Sequence, residues 1–283
     1  MSLGILTNVA ATYAENNLNQ TQNSLNTVLQ QLSSGSRINS GSDDAAGLSI
    51  SDGLTANEAA LTQSAQNAQN GVGLLQTADG ALSQVTNLLD RAVTLATEAS
   101  NGGLTAAQSG AADTEYQSIL TEIGNIGTST NFNSTGVFTA TATNFTVSDG
   151  TTAGTTTIAA TVGALTAGSV GTATGGGAGQ SLTGTLLTSQ TTATTALSDI
   201  TTAIADVSAQ RGAIGANVNQ LNAAANVASS EEVNLSSAQS SILSTNYGQA
   251  TSDLAKFQVL SQTGISALAQ ANSVQQEILK LLQ

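Results

Sequence analysis

Apolar residues recur along this chain in alternating steps of three and four, the spacing that places side chains on one face of an α-helix. The pattern is strongest between residues 44 and 99, where it predicts one long helix of the coiled-coil type. Glu58, Asp79 and Thr86 interrupt it. The apolar positions on this stripe are Leu54, Leu61, Ala65, Ala68, Val72, Leu75, Leu82, Leu89, Val93 and Ala96.

The same spacing predicts a helix at each end of the chain. Through residue 36 only Glu15 is charged, and the polar residues are Asn, Gln, Ser and Thr. A lone surface helix usually carries Glu and Lys on its polar face, so this uncharged face indicates packing in a larger assembly or the lining of a channel. We expect the apolar seams of the two terminal helices to form an assembly interface. Its candidate residues are Leu18, Leu25, Leu32, Leu254, Phe257, Leu268, Ile278 and Leu282.

Two further helices are predicted between these segments. One covers roughly residues 105–128, and the other keeps the spacing from Leu197 to Ala228 before a break in phase at residues 229–232. Arg211 lies on the apolar stripe of the second helix. It is either buried beside a carboxylate, where it would set the register of the helices, or extended to the surface along its aliphatic stem.

Residues 131–188 have a different composition, dense in Thr, Gly and Ser. Asp149-Gly150 lies between two β-branched runs, which is a signal for a β-hairpin. Residues 164–183 are either a glycine-rich loop or a second hairpin. The predicted fold class is therefore mainly α, with a long antiparallel helical bundle of coiled-coil type from both chain ends and a small β-hairpin region in the middle.

The segment LSSGSRINSGSDDAAGLSI separates the first two helices. A calcium loop would need oxygen ligands at alternating positions and a later Glu, which the closing AAGLSI does not provide. We therefore interpret the segment as a joint, in which Gly35 ends one helix and Ser42 caps the next. Asp43 and Asp44 would occupy the first turn of that helix. Arg37 would pair either with one of these aspartates or with an acid of a neighbouring chain.

Composition excludes several classes of function. The net charge is −13 and the chain has five Lys and Arg residues, whereas nucleic acids and anionic membranes bind clustered cations, so we expect neither partner. His and Cys are absent, which removes the commonest general base, thiolate nucleophiles and zinc–thiolate sites. We expect no catalytic residue, cofactor or metal, and therefore no enzyme. The N-terminus lacks the basic and apolar regions of a Sec-type signal peptide, and no stretch approaches the ~20 apolar residues of a membrane span.

Motifs near both ends of the chain carry a resemblance to a known family. They are, in order, Leu32-Ser33-Ser34-Gly35, Arg37-Ile38-Asn39-Ser40, Asp43-Asp44-Ala45-Ala46-Gly47, Asn67-Ala68, Asn70-Gly71, Gln76-Thr77, Gly80-Ala81-Leu82, Asn131-Phe132-Asn133, Leu268-Ala269-Gln270-Ala271-Asn272 and Leu281-Leu282. One tetrapeptide of this kind says little, whereas this order and spacing over residues 1–140 and 190–283 is specific. The chain resembles bacterial flagellin. One departure is Gln275-Gln276, where relatives often have a proline.

The resemblance implies a structural subunit that self-assembles into the extracellular filament of the bacterial flagellum, a helical homopolymer used for swimming. It also implies two further partners, the flagellar export machinery and a cap protein. In the family the chain ends form an inner domain, D0, and the middle helices with a hairpin form D1; almost nothing here lies beyond D1, so the chain resembles a minimal flagellin. The implied segments are 1–43 and 246–283 for D0, and 44–130, 131–188 and 189–245 for D1. Two alternatives stay open: a hook–filament junction protein, or a secreted coiled-coil adhesin or effector.

The family's D1 is also known to contact Toll-like receptor 5, through a helix that resembles LQRVRELAVQ. The corresponding region here reads LDRAVTLA, in which Arg91 and Leu95 match, while Val93 and Thr94 replace a basic and an acidic residue. The resemblance therefore implies Arg91 and Leu95 as receptor contacts. We also expect O-glycosylation of Thr and Ser residues of 128–196, because this segment would face the filament exterior.

Overall fold

The computed structural model describes residues 8–151, 153–173 and 177–281, most of them in helices. The helices are α1 (Val9–Ser34), α2 (Ala45–Ala99), α3 (Ala106–Ser129), α4 (Gln190–Leu243) and α5 (Tyr247–Leu281). The strands, all between α3 and α4, are β1 (Asn131–Phe132), β2 (Thr135–Gly136), β3 (Thr143–Val147), β4 (Thr156–Ala160), β5 (Val170–Ala173) and β6 (Gly177–Gln180). The prediction of a mainly α chain with small β-hairpins in its middle is confirmed.

Local chemistry sets where α1 begins and ends and where α3 begins. The side chain of Asn8 accepts a hydrogen bond from the Ala11 amide at 3.0 Å, which satisfies one of the unpaired N–H groups at the start of α1. α1 ends at Gly35, whose φ of 72° is left-handed and favours glycine. Before α3, the Gln108 side chain accepts from the Thr105 amide at 2.9 Å, which closes the first turn of that helix.

The chain divides into two compact units. The terminal unit comprises residues up to Ala56 together with those from Asn234 onward, and it contains α1, α5 and the adjoining ends of α2 and α4. The central unit comprises Asn57–Val233, with the rest of α2 and α4, the whole of α3 and the strands. The five-segment division implied by the resemblance stays a prediction.

The central unit has one continuous apolar core, to which α2, α3, α4 and the β-region contribute. The predicted stripe of α2 faces this core, and its Leu75, Leu82 and Leu89 are fully buried. A second stripe on α2, seven residues apart, is buried as well. It consists of Ala78, Val85, Ala92 and Ala99. Residues three apart, such as Leu75 and Ala78, are neighbours on a helix, so the two stripes form one broad buried face of α2.

α4 is one uninterrupted helix through residues 229–232, so the predicted break in phase does not end it. A change of phase rotates the apolar stripe around the helix but removes no backbone hydrogen bond. Within the central unit α4 runs antiparallel to α2, because Leu221 lies against Gly71 while Arg211 pairs with Asp79. The Arg211 Nε to Asp79 Oδ1 distance is 2.8 Å and both side chains are partly exposed, so Arg211 pairs with a carboxylate and also reaches the surface.

The β-region consists of two-stranded antiparallel sheets. β3 pairs with β4 on either side of Asp149-Gly150, which confirms the predicted hairpin, although its connection is longer than a two-residue turn. The pairing of β5 with β6 shows that residues 164–183 include a second hairpin. The small pair of β1 and β2 was not predicted; its turn places Asn133 and Ser134 at φ of 48° and 63°.

Candidate assembly surface on the terminal helices

α1 and α5 pair along their length in the terminal unit. The Asn8 side-chain amide donates to the Ala271 carbonyl at 3.0 Å, near the start of α1 and the end of α5. Further along α1, Leu18 lies so close to Gly264 that a Cβ there would come within 3.2 Å of its Cδ1. The partner residue moves backwards along α5 as α1 advances, so the two helices are antiparallel.

The predicted seam residues of α1 and α5 are only half-buried. Those that the structure describes are Leu18, Leu25, Leu32, Leu254, Phe257 and Leu268. The side chain of Ile278 and the whole of Leu282 lie outside the described residues. Of the apolar side chains described on α1 and α5, those that are buried are Val28 and Ala250, at 8% and 6% exposure. One helix can cover only one face of its partner, so this pair leaves much of its apolar surface open to solvent.

Large apolar side chains outside the seam are exposed on the same two helices. Val259 is 62% exposed and Tyr13 is 69% exposed. Among the side chains that the structure describes, those on α1 and α5 are Val9, Tyr13, Leu29, Tyr247, Val259, Leu260, Ile265 and Val274. Scattered exposed apolar residues are normal on any protein, whereas their concentration on one pair of helices is typical of an interaction surface. Helical periodicity identifies the seam and misses these residues, because they lie off the apolar stripe.

A groove of about 530 Å³ runs between α1 and α5. Its lining includes Leu18, Thr21, Phe257 and Gly264, and it consists of apolar, amide and hydroxyl groups with no ionisable side chain. Such a lining offers neither a general acid nor a general base. Within the described ranges no group of three or more acidic residues is placed to hold a metal ion, and no helix is long and apolar enough to cross a membrane.

Arg37, in the joint after α1, caps the end of another helix. Its guanidinium Nη2 donates to the Ile242 carbonyl at 3.0 Å, and its backbone amide donates to the Leu243 carbonyl at 2.6 Å. Both carbonyls belong to the last turn of α4, where backbone acceptors are unpaired and a positive charge is favoured by the helix dipole. The expected pairing with Asp43 or Asp44 is not what the described residues show, because the guanidinium is directed to this helix end.

The two aspartates of the joint have different roles. The Asp44 Oδ1 atom accepts from the Gly47 amide at 2.9 Å, directly before the first residue of α2. Asp44 is therefore the capping residue, and the expectation that Ser42 caps α2 is wrong by two positions. Asp43 instead folds the loop, because its Oδ2 atom accepts from the amides of Asn39 and Ser40 at 3.0 and 2.9 Å.

These hydrogen bonds lower the pKa of Asp43 below its ordinary value of 3.8, the Asn39 amide contributing most. The ionised carboxylate therefore stabilises the loop above the unfolded pKa, and this contribution is lost as pH falls through the folded pKa. We expect the amide signals of Asn39 and Ser40 to shift with a midpoint below 3.8 in an NMR titration. In Asp43→Asn the side chain does not titrate and the shift should vanish; a midpoint at or above 3.8 in the unaltered chain would contradict this account.

The two residues implied as receptor contacts lie in different surroundings on α2. Arg91 Nε binds Glu115 Oε1 at 2.7 Å, and this bond lowers the pKa of the Glu115 carboxyl. The Arg91 side chain is 56% exposed, so its contact with a receptor stays a prediction. Leu95 is 3% exposed and belongs to the core of the central unit, so the expectation that it contacts a receptor is wrong for the folded chain.

Comparisons with known proteins identify both helical regions. The family model described as the bacterial flagellin N-terminal helical region matches residues 5–143, and the one described as the bacterial flagellin C-terminal helical region matches residues 197–282. Together the two models match most of the chain.

Individual relatives match a shorter stretch. Polar flagellin C of Vibrio parahaemolyticus is 40% identical over 132 residues, 47% of this chain and 34% of that protein. The flagellin of Serratia marcescens is 43% identical over 133 residues, 47% of this chain and 38% of that protein. These matches span little more than a third of the relatives' length. The crystal structure of Bacillus cereus flagellin is 29% identical, with a TM-score of 0.46 over 57% of this chain and 88% of that one.

Proposed function

Because the chain belongs to the bacterial flagellin family, we propose that it is a structural subunit that self-assembles into the flagellar filament for swimming motility. The observation that supports this most is the exposed apolar surface of α1 and α5. A single chain leaves this surface in water, whereas a second copy would cover it. Burying one Val or Leu side chain is worth roughly 1.5–3 kcal/mol, so a few such residues would suffice to drive association.

The proposed contact is heterologous, which means that one face of a subunit binds a different face of the next. When the rotation between subunits does not close a ring, such contacts repeat along a helix and produce a filament. We infer that the terminal helices form this contact through the residues that face away from their own seam. The seam residues of the two helices are only half-buried, and we propose that their open parts add to the same interface, as the sequence predicts: Leu18, Leu25, Leu32, Leu254, Phe257 and Leu268.

The remaining partners and the location follow from the family. The proposal places the filament outside the cell, with export by the flagellar machinery and assembly aided by a cap protein. Recognition by Toll-like receptor 5 would depend on Arg91. O-glycosylation would fall on the β-region: most of the described Thr and Ser residues of 128–196 are exposed, while Thr152 and Thr174 lie outside the described residues.

Salt-dependent assembly tests the proposal. Each chain carries a net charge of −13, so neighbouring subunits repel one another, and salt shortens the range of that repulsion from about 30 Å at 0.01 M to about 3 Å at 1 M. We expect the purified chain to form long filaments at high ionic strength and to be mostly monomeric at low ionic strength, as seen by electron microscopy and light scattering.

Two outcomes would favour the alternatives. A chain that stays monomeric at every salt concentration would contradict the filament proposal and support a secreted coiled-coil adhesin or effector. The share of the chain in filaments sheared from cells separates a filament subunit from a hook–filament junction protein. The first would be the bulk of the preparation and the second a trace.

A further inference from the structure

The chain contains two Asn-Gly pairs, which the fold places in different surroundings. Asn70-Gly71 lies within α2, and Asn101-Gly102 lies in the turn between α2 and α3. An Asn followed by Gly can react with its own backbone, because glycine has no Cβ to hinder the approach of its backbone nitrogen to the preceding side chain. This ring-closing reaction also needs a backbone that can change its conformation. The two sites differ in that respect.

The turn after α2 is exposed to solvent and makes few hydrogen bonds. Asn101, Gly102 and Gly103 are all exposed. The Asn101 amide donates to the Glu98 carbonyl at 3.1 Å, and the Leu104 amide donates to the Asn101 carbonyl at the long distance of 3.4 Å. Over the described part of the chain, neither the Gly102 N–H nor the Asn101 side-chain amide makes a hydrogen bond.

The side chain of Asn101 also lies beside the following residues. Its Oδ1 atom is 3.8 Å from the position that a Cβ on Gly103 would occupy. The carboxamide therefore extends along the chain towards its C-terminal side, where the Gly102 nitrogen is found. Apart from its chain neighbours, the atom nearest to a Cβ on Gly102 would be Oε1 of the exposed Gln190, at 3.5 Å, so the turn is not closely packed.

We propose that Asn101 is a site of spontaneous deamidation through a cyclic imide. The Gly102 backbone nitrogen attacks the Asn101 side-chain carbonyl carbon and forms a new C–N bond. The C–N bond of the carboxamide breaks, and its nitrogen leaves as ammonia with the proton that the Gly102 N–H gave up. Water then adds to one of the two imide carbonyls and opens the ring, which yields either aspartate or isoaspartate at position 101.

Asn70-Gly71 is the matched site that the fold protects. Asn70 is exposed like Asn101, so access of water to its side chain does not distinguish the two. Gly71, however, lies in the interior of α2, where the helix fixes the backbone and engages its N–H. Gly71 is also buried, since a Cβ there would come within 2.9 Å of both Leu221 and Phe145. Ring closure at Asn70 would require α2 to open locally against this packing.

The modification would change the charge of the turn. A carboxylate at position 101 would stand just beyond the C-terminus of α2, next to Glu98 and near Gln190 at the start of α4. The C-terminal end of a helix disfavours negative charge, so the product should loosen this turn slightly. Isoaspartate would also lengthen the main chain by one carbon. The chain would therefore accumulate a more acidic form with age.

Peptide mapping by mass spectrometry after prolonged incubation at mildly alkaline pH tests the proposal. In the folded chain we expect conversion of Asn101 and little conversion of Asn70. In denaturant both sites should convert, which shows that the fold makes the difference. Equal conversion of the two sites in the folded chain, or no conversion of Asn101 when the denatured chain converts, would overturn the proposal.

Two substitutions in the turn provide matched controls. Gly102→Ala places a methyl group beside the attacking nitrogen and should slow conversion of Asn101 several-fold. Gly103→Ala changes the same turn without touching that nitrogen and should leave the rate within the range of the unaltered chain. If both substitutions slow the reaction equally, then flexibility of the turn rather than attack by Gly102 controls it, and the mechanism proposed here is wrong.

Discussion

Deleting residues 250–283 should abolish filament formation at every salt concentration that polymerises the intact chain. The deletion removes nearly all of α5 and with it the exposed side chains of Val259, Leu260, Ile265 and Val274. It also removes the partner that holds α1, so the surface recognised by the next subunit is lost from both helices. Electron microscopy and light scattering should show a soluble monomer.

The deletion should spare the central unit, which comprises Asn57–Val233 and whose main buried cluster extends from Ala68 to Leu221. A cooperative thermal transition followed by circular dichroism should therefore persist in the truncated chain. Filaments formed by this variant would contradict our account of assembly. Loss of the transition would show that the two units do not fold independently.

Two single substitutions test whether association between subunits depends on the exposed face of α5. Val259→Asp on α5 and Val227→Asp on α4 make the same change on a helix, at side chains that are 62% and 58% exposed in one chain. At Val259 assembly would enclose an unpaired carboxylate and forfeit the burial of a valine, so the concentration needed for polymerisation should rise by about tenfold or more. Val227→Asp should have a much smaller effect; equal effects would remove the terminal helices from their proposed role.

The sequence predicts a helix face well when large apolar residues repeat along it at helical spacing. The stripe of α2 is long and rich in leucine, and residues such as Leu75 and Leu82 are fully buried as expected. The second stripe, with Ala78 and Ala92, is buried just as completely but carries little signal, because alanine is common on any helix face. A periodic pattern shows which face is apolar, but it does not show how wide the buried part of that face is.

The joint illustrates what a sequence cannot supply. Gly35 as the end of α1 follows from local rules, since a left-handed residue there is nearly always glycine. The partner of Arg37 does not follow, because the Ile242 carbonyl is 205 residues away along the chain. The sequence predicts that Arg37 pairs with Asp43 or Asp44, which are close to it along the chain. In the structure the C-terminal end of α4 lies beside the guanidinium instead. Part of the assembly surface could not be predicted from the sequence for a similar reason. Whether Val259 is exposed depends on which face of α5 is covered by α1.

Gly171→Ala should lower the unfolding free energy of the central unit more than the same substitution at an exposed glycine. Gly171, in β5, has φ of 76°, where an L side chain is strained by roughly 1–2 kcal/mol. A Cβ there would also lie 2.5 Å from the Val207 nitrogen and 2.6 Å from the Asp206 carbonyl carbon, both in the backbone of α4. Backbone atoms of a helix cannot rotate out of the way as a flexible side chain can. The β5–β6 hairpin must therefore move away from α4. That movement would break the hydrogen bond of 2.9 Å from the Gln180 amide to Asp206.

Gly184→Ala is the matched control for this prediction. Gly184 has φ of 80°, but a Cβ on it would meet nothing within 4 Å, so the substitution introduces the backbone strain alone. In urea denaturation Gly184→Ala should lower the unfolding free energy by roughly 1–2 kcal/mol, and Gly171→Ala by roughly 2–5 kcal/mol once overpacking is added. Both should shift the midpoint more than the slope. Equal losses would mean that the hairpin does not press on α4, because strain alone would then account for both.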